Sequence, residues 1–504
     1  MSYFRNLARA MRFMGTAMMG STGYEGASTG RRLTAWAETD SAISALLSFE
    51  GDVLRRRCRG LVRKNHWARC SQESYVANAI GTGIKPESLH PDPAVRNLIH
   101  GTWRDSVMEM DADGVTDFYG LQQLAMREIF QAGETLVRFR PRRPEDGLIV
   151  PLQLQVIPSE HLPFTDNRPN GQNVIRSGIE FTPFGKRAAY HIYREHPGLG
   201  TFALSTRANE QVRVPAENVL HLFQRIASGQ YRGEPWLVPV MVTLYELDQF
   251  VDAVLVRQKL GNMFLGWQRR SNLDDSGPML ATRTAPGSSP AEAGVGFGIV
   301  QPGTMLDLAD GDTLEFNDPP GPGAQFGEFL KVMLHAFASG IGVPYEQITW
   351  DLESVNYSSI RAGLLEFRRR CEQFQFQVMS FQFCRPVWRR WINDAALAGV
   401  LPQPRDPQGW RDLYSVEWRT PAWDWVDPLK DVLAKKEEVR CGFTSRSAVV
   451  HERGYDPEQV DAEVRADNAR ADTEPPLIYD SDPRKTAASG IAQQMVAAEQ
   501  GERR

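Results

Sequence analysis

The sequence lacks any apolar run long enough to cross a membrane. The best candidate, 236–260, is interrupted by five charged residues, Glu246, Asp248, Asp252, Arg257 and Lys259, whereas a spanning helix needs about 20 mostly apolar residues. The opening residues carry arginines but no continuous apolar core with a cleavage-like end, so no secretory signal is expected. We therefore expect a protein that is made and used in a cytoplasm and that has no membrane partner.

Cysteine is scarce, and patterns typical of metal or catalytic sites are missing. The five cysteines are widely scattered, which favours reduced thiols over disulfides. No C-x-x-C, H-E-x-x-H or G-x-S-x-G pattern occurs, and His191 and His196 are five residues apart rather than four. Gly178 and Gly185 are spaced wrongly for a phosphate-binding loop and fit a strand-turn-strand better. We expect no catalytic residue, no metal and no cofactor.

A basic excess is also missing, because the formal net charge is −5. Proteins that grip DNA tightly are usually basic, whereas weak attraction suits a protein that lets DNA slide. One basic run lies on a helix predicted over 43–80, where we expect solvated or subunit-facing ion pairs and leave direct DNA contact open. The run is Arg55, Arg56, Arg57, Arg59, Arg63, Lys64 and Arg69. Candidate partners on a neighbouring subunit are Asp105, Glu109, Asp111, Asp113 and Asp117.

Two amphipathic helical patterns flank a segment rich in glycine, proline and serine. Apolar residues recur at steps of three and four on both sides, which predicts one helix ending near Gly261 and a second stopped by Gly340, Gly342 and Pro344. The first helix would be about 40 Å long at 1.5 Å per residue. With an irregular tip at 266–324, the two helices make a projecting hairpin. Its expected packing residues are Leu244, Leu247, Val251, Phe329, Met333 and Phe337.

The rest of the chain predicts an α+β body. Residues 40–133 have a mainly helical pattern. A third long helix is expected from Asn356, as N-cap, to about Cys384, with Pro386 kinking or restarting it. Composition predicts disorder at both chain ends. Short strands are expected at 136–139, 152–157, 188–193 and 219–223, and late helices near 429–440, 445–453 and 457–470.

Many short motifs occur in one order along most of the chain. The first are RRL at 31–33 with Trp36, RCRGLVRKN at 57–65 and GTGIKP at 81–86. The middle ones are Gly133-Glu134, LQVI at 154–157, VPAENVLH at 214–221 and QYRGEP at 230–235. Later come GVPY at 342–345, Trp350-Asp351, SVNYSS at 354–359 and DPLK at 427–430. In this order the sequence resembles the portal proteins of tailed bacteriophages, in particular the lambda-like portal family. The loop 272–298 and the tail after Asp472 depart from the pattern.

The resemblance implies an α+β portal fold whose copies assemble as a cyclic ring, generally a dodecamer. By analogy, the first half of the chain divides into a flexible arm at 1–30, an α+β wing at 31–235 and a first stem helix at 236–262. A clip at 263–324 is followed by a second stem helix at 325–345. The remainder is a tunnel loop with a long wing helix at 346–400, a mainly helical crown at 401–470 and a disordered tail at 471–504.

The implied function is a channel at one capsid vertex, through which double-stranded DNA is packaged and later ejected. Such a protein is not an enzyme, because in that family the motor is a separate terminase. The implied partners are the terminase large subunit, the major capsid protein and scaffold, and head-completion or adaptor proteins; the implied locations are the virion and, during assembly, the host cytoplasm. Residues implied to face DNA in the tunnel loop are Trp350, Asp351, Glu353, Ser354, Asn356, Tyr357 and Ser358. Residues that could form basic rings at the stem-clip junction are Arg257, Lys259, Arg269 and Arg270.

Tryptophan content supports an alternative function. Six of the twelve tryptophans lie within 388–425, and Glu417, Asp424 and Asp427 lie beside them. Aromatic platforms with paired carboxylates are typical of glycoside hydrolases, so a cytoplasmic carbohydrate-active hydrolase is the alternative. Trp388 and Trp391 are three residues apart on a predicted helix, which also fits packing in a core.

Overall fold

The computed structural model describes residues 41–202, 210–263, 266–269, 313–316, 325–353, 357–421, 428–452, 455 and 457–472. The described α-helices are α1 Ile43–Lys64, α2 His66–Ala79, α3 Pro93–Ser106, α4 Phe118–Ala132, α5 Met241–Met263, α6 Phe326–Ile341, α7 Tyr345–Thr349, α8 Tyr357–Phe374, α9 Arg385–Leu397, α10 Pro407–Tyr414, α11 Pro428–Arg440, α12 Arg446–Glu452 and α13 Pro457–Ala471. The described strands are β1 Lys85–Ser88, β2 Glu134–Pro141, β3 Leu152–Ile157, β4 Arg168–Asn170, β5 Asn173–Arg176, β6 Ile179–Phe181, β7 Arg187–Tyr193, β8 Gln211–Pro215, β9 Val219–Phe223, β10 Gly266–Arg269, β11 Thr313–Phe316 and β12 Val416–Arg419.

The N-terminal helical region is broken at Asn65, so the prediction of one helix over 43–80 was wrong. Asn65 has an extended backbone, and its side chain accepts hydrogen bonds from the backbone N–H groups of Trp67 and Ala68. An asparagine that satisfies these otherwise unpaired donors is an N-cap. It ends α1 and begins α2, which changes the direction of the chain without leaving helical structure.

Two antiparallel sheets form the β part of the body. The smaller has the strand order β3-β2-β9, and the larger β4-β5-β6-β7-β8. The four strands predicted with residue bounds correspond to β2, β3, β7 and β9, and β6 is the first strand of the predicted strand-turn-strand, whereas β4, β5 and β8 were not predicted. The turn between β6 and β7 contains Gly185 at a φ of 78°, which confirms the strand-turn-strand interpretation of the two glycines.

The long helix predicted to reach about Cys384 is followed directly by α9, which has Pro386 in its first turn, where the sequence predicts a kink or a restart. A ten-residue π-helix, Gln375–Cys384, joins α8 to α9, and the backbone stays helical at Cys384 and Arg385, directly before Pro386. The side chain of Gln382 in the π-helix donates to the carbonyl of Phe223 (3.1 Å) and accepts from its N–H (3.2 Å). This amide therefore covers the outer edge of β9 as another strand would.

The main core lies between the helices and the β3-β2-β9 sheet. It is built around fully buried aromatic side chains, among them Phe118, Phe130, Phe383, Trp388 and Trp391. A strand pairing that was not predicted, β1 with β12, joins the N-terminal helical region to residues 416–419. The described residues thus form an α+β fold, as expected from the sequence.

Candidate functional site

A buried carboxylate network joins three of the motifs that carry the family resemblance. Glu134, at the start of β2, is only 1% exposed. Its carboxylate accepts hydrogen bonds from Arg232 Nε (2.9 and 3.0 Å), from His221 Nε2 (2.9 Å) and from the N–H of Gly233 (2.8 Å). Ser159 Oγ donates a further bond of 2.9 Å. Motifs that are about 100 residues apart in the sequence therefore meet at one carboxylate.

Arg232 completes this network by holding backbone carbonyl groups of the adjoining loops. Its guanidinium is fully buried, donates to the carbonyls of Ser177 (2.6 Å) and Leu162 (3.0 Å), and lies 3.7 Å from the ring centre of Phe164. Ser177 has a φ of 47°, a conformation that is strained for a residue other than glycine. The one side chain thus links Glu134 to the segment before β4 and to the turn between β5 and β6.

Two glycines in these motifs are required by close backbone packing. A Cβ on Gly233 would lie 2.1 Å from the carbonyl oxygen of Gly133, and a Cβ on Gly133 would lie 2.3 Å from the carbonyl carbon of Glu234. Gly133 also ends α4 with a φ of 83°, in the left-handed region that favours glycine. The two motifs pack backbone to backbone, so neither glycine tolerates a side chain.

Burial fixes the charge state of the network. Burial lowers the pKa of His221 to about 4, although hydrogen bonding and attraction to Glu134 oppose this shift. His221 is then neutral near pH 7, and because its Nε2 faces a carboxylate it carries the proton there. For Glu134, burial alone would raise the pKa, but Arg232 and the hydrogen bond from His221 hold it well below its usual range. The network contains a charged Glu134–Arg232 pair and a neutral histidine.

The basic run of α1 is only partly a surface feature. The expectation that its ion pairs would be solvated or subunit-facing was wrong for Arg55 and Arg59. Arg59 donates to Glu160 (2.6 Å) and Glu128 (2.6 Å), and Arg55 pairs with Asp52 and Glu160. Burial alone would lower the pKa of Arg59, but its two carboxylate partners raise it. Five members of the run are exposed: Arg56, Arg57, Arg63, Lys64 and Arg69.

Three of the acidic residues considered as partners in a neighbouring subunit bind the backbone of their own chain. Asp111 accepts from the N–H groups of residues 113, 115 and 116, and Asp117 accepts from Gly120 N as the N-cap of α4. Glu109 accepts from Ile149 N (3.1 Å). The other two, Asp105 and Asp113, carry exposed side chains, and Asp105 lies 3.5 Å from Arg104 Nε.

The two hairpin helices, α5 and α6, pack tightly where they leave the body. Leu244, Leu247 and Phe337 are buried in the core. A Cβ on Gly340 would lie 2.3 Å from Cγ1 of Val240, so the glycine permits this close crossing. The patterns therefore place the base of the hairpin correctly.

Along its length, the helix pair also exposes apolar side chains to solvent. Val251 and Met333 are half-buried, and Phe329 is 46% exposed. The ring of Phe250, which was not among the expected packing residues, contacts Phe329 at 5.2 Å between centroids. Other exposed apolar residues on these helices are Val242, Tyr245, Leu255, Val256 and Val332. The described part of the chain leaves this surface uncovered.

The segment expected to form the tunnel loop begins beside an aspartate that is held by neighbouring side chains. Trp350 ends α7 with a φ of 59° and is 78% exposed. Asp351 accepts a hydrogen bond from Tyr345 Oη (3.2 Å) and lies 3.8 Å from Lys331 Nζ of α6. Glu353 is exposed. Ser354 and Asn356 lie outside the described residues, and α8 begins at Tyr357, followed by Ser358, whose side chains are not described.

Of the residues expected at the stem-clip junction, Arg257 and Lys259 are exposed on α5. Arg269 is described only as backbone in β10, which pairs with β11 in antiparallel register, and Arg270 lies outside the described residues. Most of the region expected to form the clip, the arm at 1–30 and nearly all of the tail likewise lie outside them.

The tryptophan cluster is a structural core. Trp388 and Trp391 are 1% and 0% exposed, stack on each other at 5.4 Å, and contact Trp103. Trp391 Nε1 donates to Ser106 Oγ (3.0 Å). Trp410 and Trp418 pack against the same core; Trp423, Trp425, Asp424 and Asp427 lie outside the described residues. The four described tryptophans of this cluster are buried or half-buried in a core, so they do not form the exposed sugar-binding platform that the hydrolase alternative requires.

Comparison with known families decides the assignment. The family model for the phage portal protein, lambda family, matches residues 29–375. The chain belongs to the lambda family of phage portal proteins. This family is a structural one, which agrees with the expectation of a protein that is not an enzyme.

A probable portal protein of Halomonas phage phiHAP-1 is 29% identical over 434 residues, covering 83% of this chain and 80% of the relative. Portal protein B of Escherichia phage lambda is 22% identical over 345 residues, covering 62% of this chain and 61% of the relative.

Solved structures with some likeness include the neck of an empty gene transfer agent particle, at a TM-score of 0.44 and 15% identity, covering 85% of this chain and 99% of that one. An HK97-family portal protein from Corynebacterium diphtheriae has a TM-score of 0.28 and 12% identity, covering 79% of this chain and 99% of that one.

Two further features are missing from the described residues. None of the described helices has the length and apolar character needed to span a membrane. No group of three or more histidine, cysteine, aspartate or glutamate side chains in the described part of the chain is arranged to hold a metal ion.

Proposed function

We propose that copies of this chain close into a ring, generally of twelve, that forms the double-stranded DNA channel at one capsid vertex. Membership of the portal family supports this function. The observation that carries it beyond the family assignment is the apolar surface of α5 and α6, with Val242 and Val332 70% and 65% exposed. Neighbouring copies that pack side by side would cover this surface, because an exposed apolar patch is typical of an interaction site.

In this proposal α5 and α6 are the stem, and the α+β body together with the long helix α8 is the wing. Residues 263–324 are the clip, and the helices after residue 400 are the crown. The tight crossing at Gly340 supports a stem that acts as a rigid strut. The outer face of the stem would lie in the opening of the capsid vertex. The crown would face the packaged genome.

The segment from Trp350 to Ser358 would line the channel. Its support is the exposed Trp350, held at a strained φ, directly before the anchored Asp351. Twelve copies of a short polar segment would give many weak contacts to the DNA backbone without a deep binding minimum at any position. DNA could then slide in either direction, during packaging and ejection.

The exposed Arg257 and Lys259, with Arg269 and Arg270, would contribute rings of positive charge near the stem-clip junction. Such rings attract phosphate groups non-specifically, and the attraction weakens with salt. The net charge of −5 keeps the overall attraction modest.

The remaining partners follow from the same proposal. The clip would receive the terminase large subunit during packaging and the adaptor or head-completion proteins afterwards, and the stem would contact the major capsid protein and scaffold. The chain would be assembled in the host cytoplasm and remain in the virion. It would perform no catalysis, because the terminase supplies the motor.

A complementation experiment tests the channel role. Capsids are assembled with the terminase and a portal variant, and packaged DNA is measured as nuclease-protected DNA per capsid. We expect Trp350→Ala, and more strongly the deletion of 352–358, to reduce DNA filling while the variants still form rings. The matched control is Phe443→Ala, which alters another exposed aromatic residue, 84% exposed, and should fill normally. Normal filling with the deletion variant would contradict the proposal for this segment.

A further inference from the structure

A cavity of about 850 Å³ lies where β9 meets the π-helix and the β6–β7 turn. We call it the arginine cavity, because Arg176, Arg187 and Arg225 line it together with apolar groups such as Phe181 and Phe381. Phe381 is 61% exposed. No carboxylate is among the described residues that line the cavity. Its chemistry suits a segment that carries both acidic and apolar side chains.

The arginines of this cavity are not neutralised within the described chain. Arg187 donates to Tyr190 Oη (3.2 Å) and to the carbonyl of Tyr231 (3.5 Å), neither of which is charged. Arg176 and Arg225 are exposed and form no ion pair with a described residue. Three positive charges around one concave surface will attract negative groups.

A segment of matching chemistry lies at the opposite edge of the same sheet. We call residues 105–115 the acidic loop. It exposes the acidic Asp105 and Asp113 and the apolar Met108 (70%) and Val115 (86%). Asp111 holds the loop rigid through three backbone N–H groups. An ordered loop loses little conformational entropy when it binds.

The sheet separates the two surfaces. The acidic loop is hydrogen-bonded to the outer edge of β3, through Ala112 N to Leu154 O (2.9 Å) and Leu154 N to Met110 O (2.7 Å). The strand order continues to β2 and then β9, and Gln382 beside the arginine cavity covers the other edge of β9. Three strand spacings, about 14 Å, separate the acidic loop from β9. One chain cannot place its own rigid loop in its own cavity.

We infer that the acidic loop of one subunit occupies the arginine cavity of the next. Asp105 and Asp113 would pair with Arg176 and Arg225, and Met108 and Val115 would cover the apolar wall beside Phe381. Complementary surfaces on opposite edges of one sheet give a head-to-tail contact, which generates a ring when the rotation closes. This inference depends on the proposed ring function and names the side chains that build its subunit contact.

The test uses two charge-reversed chains. The cavity variant is Arg176→Glu with Arg225→Glu, and the loop variant is Asp105→Arg with Asp113→Arg. Alone, each variant meets like charge at every contact, so native mass spectrometry should find a loss of rings. Mixed in equal amounts, they match at both contacts of an alternating ring, so rings should return with equal numbers of each chain. Arg405→Glu with Arg411→Glu, which reverses two other exposed arginines, should form rings unaided.

The outcomes separate this inference from the proposed function. Rescue by mixing supports the contact, and it also shows that the variants fold, since a misfolded chain could not be rescued. Rings from either variant alone would overturn the contact but not the ring, and would leave the cavity to a different protein. Failure of the mixture, with each variant folded by circular dichroism, would also overturn it. A wild-type chain that stays monomeric would overturn the proposed function itself.

Discussion

Replacing Glu134 by glutamine tests whether the buried network organises the body. Both carboxylate oxygens accept hydrogen bonds: Oε1 from Ser159 and Arg232, and Oε2 from His221, Gly233 and Arg232. In Glu134→Gln one of these oxygens becomes an NH₂ group that faces at least two donors, and Arg232 loses its counter-charge. Removing one partner of a buried ion pair costs about 3–5 kcal/mol. The loss should be concentrated where β2, β9 and the loop at 232–235 meet.

Hydrogen–deuterium exchange measures this loss locally, which avoids treating a chain of 504 residues as two-state. At about 1.4 kcal/mol per tenfold, we expect exchange in peptides covering 134–137 and 219–223 to accelerate by about a hundredfold to a few thousandfold. The control is Glu145→Gln, which changes an exposed glutamate and should alter exchange little. Acceleration of less than threefold in Glu134→Gln would refute the reasoning.

Three other perturbations have definite expected results. Gly233→Ala should lower the melting temperature sharply, because the new Cβ would collide with backbone atoms. The control Gly60→Ala has nothing within 4 Å of the new Cβ, so it should be neutral or stabilising by about 0.5–1 kcal/mol. Equal effects of the two substitutions would contradict the packing described. The pKa of His221 is about 4 in the folded protein against an ordinary value of 6.5, so the unfolded chain binds the proton more readily. The stability of the folded protein should therefore fall as the pH drops from about 6.5 to about 4. A melting temperature that stays constant across this pH range would count against the burial of a neutral His221. Gln382→Leu leaves the N–H and the carbonyl of Phe223, the last residue of β9, without their partner, at a cost of about 1–3 kcal/mol each. Hydrogen–deuterium exchange in 219–223 should therefore become faster, whereas Gln377→Leu, at an exposed glutamine, should not change it. Similar exchange rates in both variants would argue against the role of Gln382 at the edge of β9.

The helix pair and the strands β2, β3, β7 and β9 were predictable because their signals are local. Leu244, Leu247 and Phe337 follow helical spacing, and spacing is enough to identify a buried stripe. Local pattern also suggested that Trp388 and Trp391 pack in a core. The break at Asn65 was missed because apolar spacing continues across it, although an asparagine before a helical run is a recognisable N-cap.

The buried network could not be derived from spacing. Glu134, His221 and Arg232 come from three distant segments, and only their motifs, not their pairing, are visible in the sequence. A useful signal was Glu134 at the buried head of strand β2, close to the apolar Leu136 and Val137, since a charge that enters a core needs a partner. The fate of Arg55 and Arg59 was misjudged for the same reason: their carboxylate partner Glu160 is about 100 residues away.

Native mass measurement of the purified chain, combined with electron microscopy of the same sample, tests the central claim most directly. The account predicts a ring with an axial opening and a mass of about 680 kDa for twelve chains of 56.7 kDa. A species of 56.7 kDa without an opening, at concentrations where portal rings are expected, would contradict it.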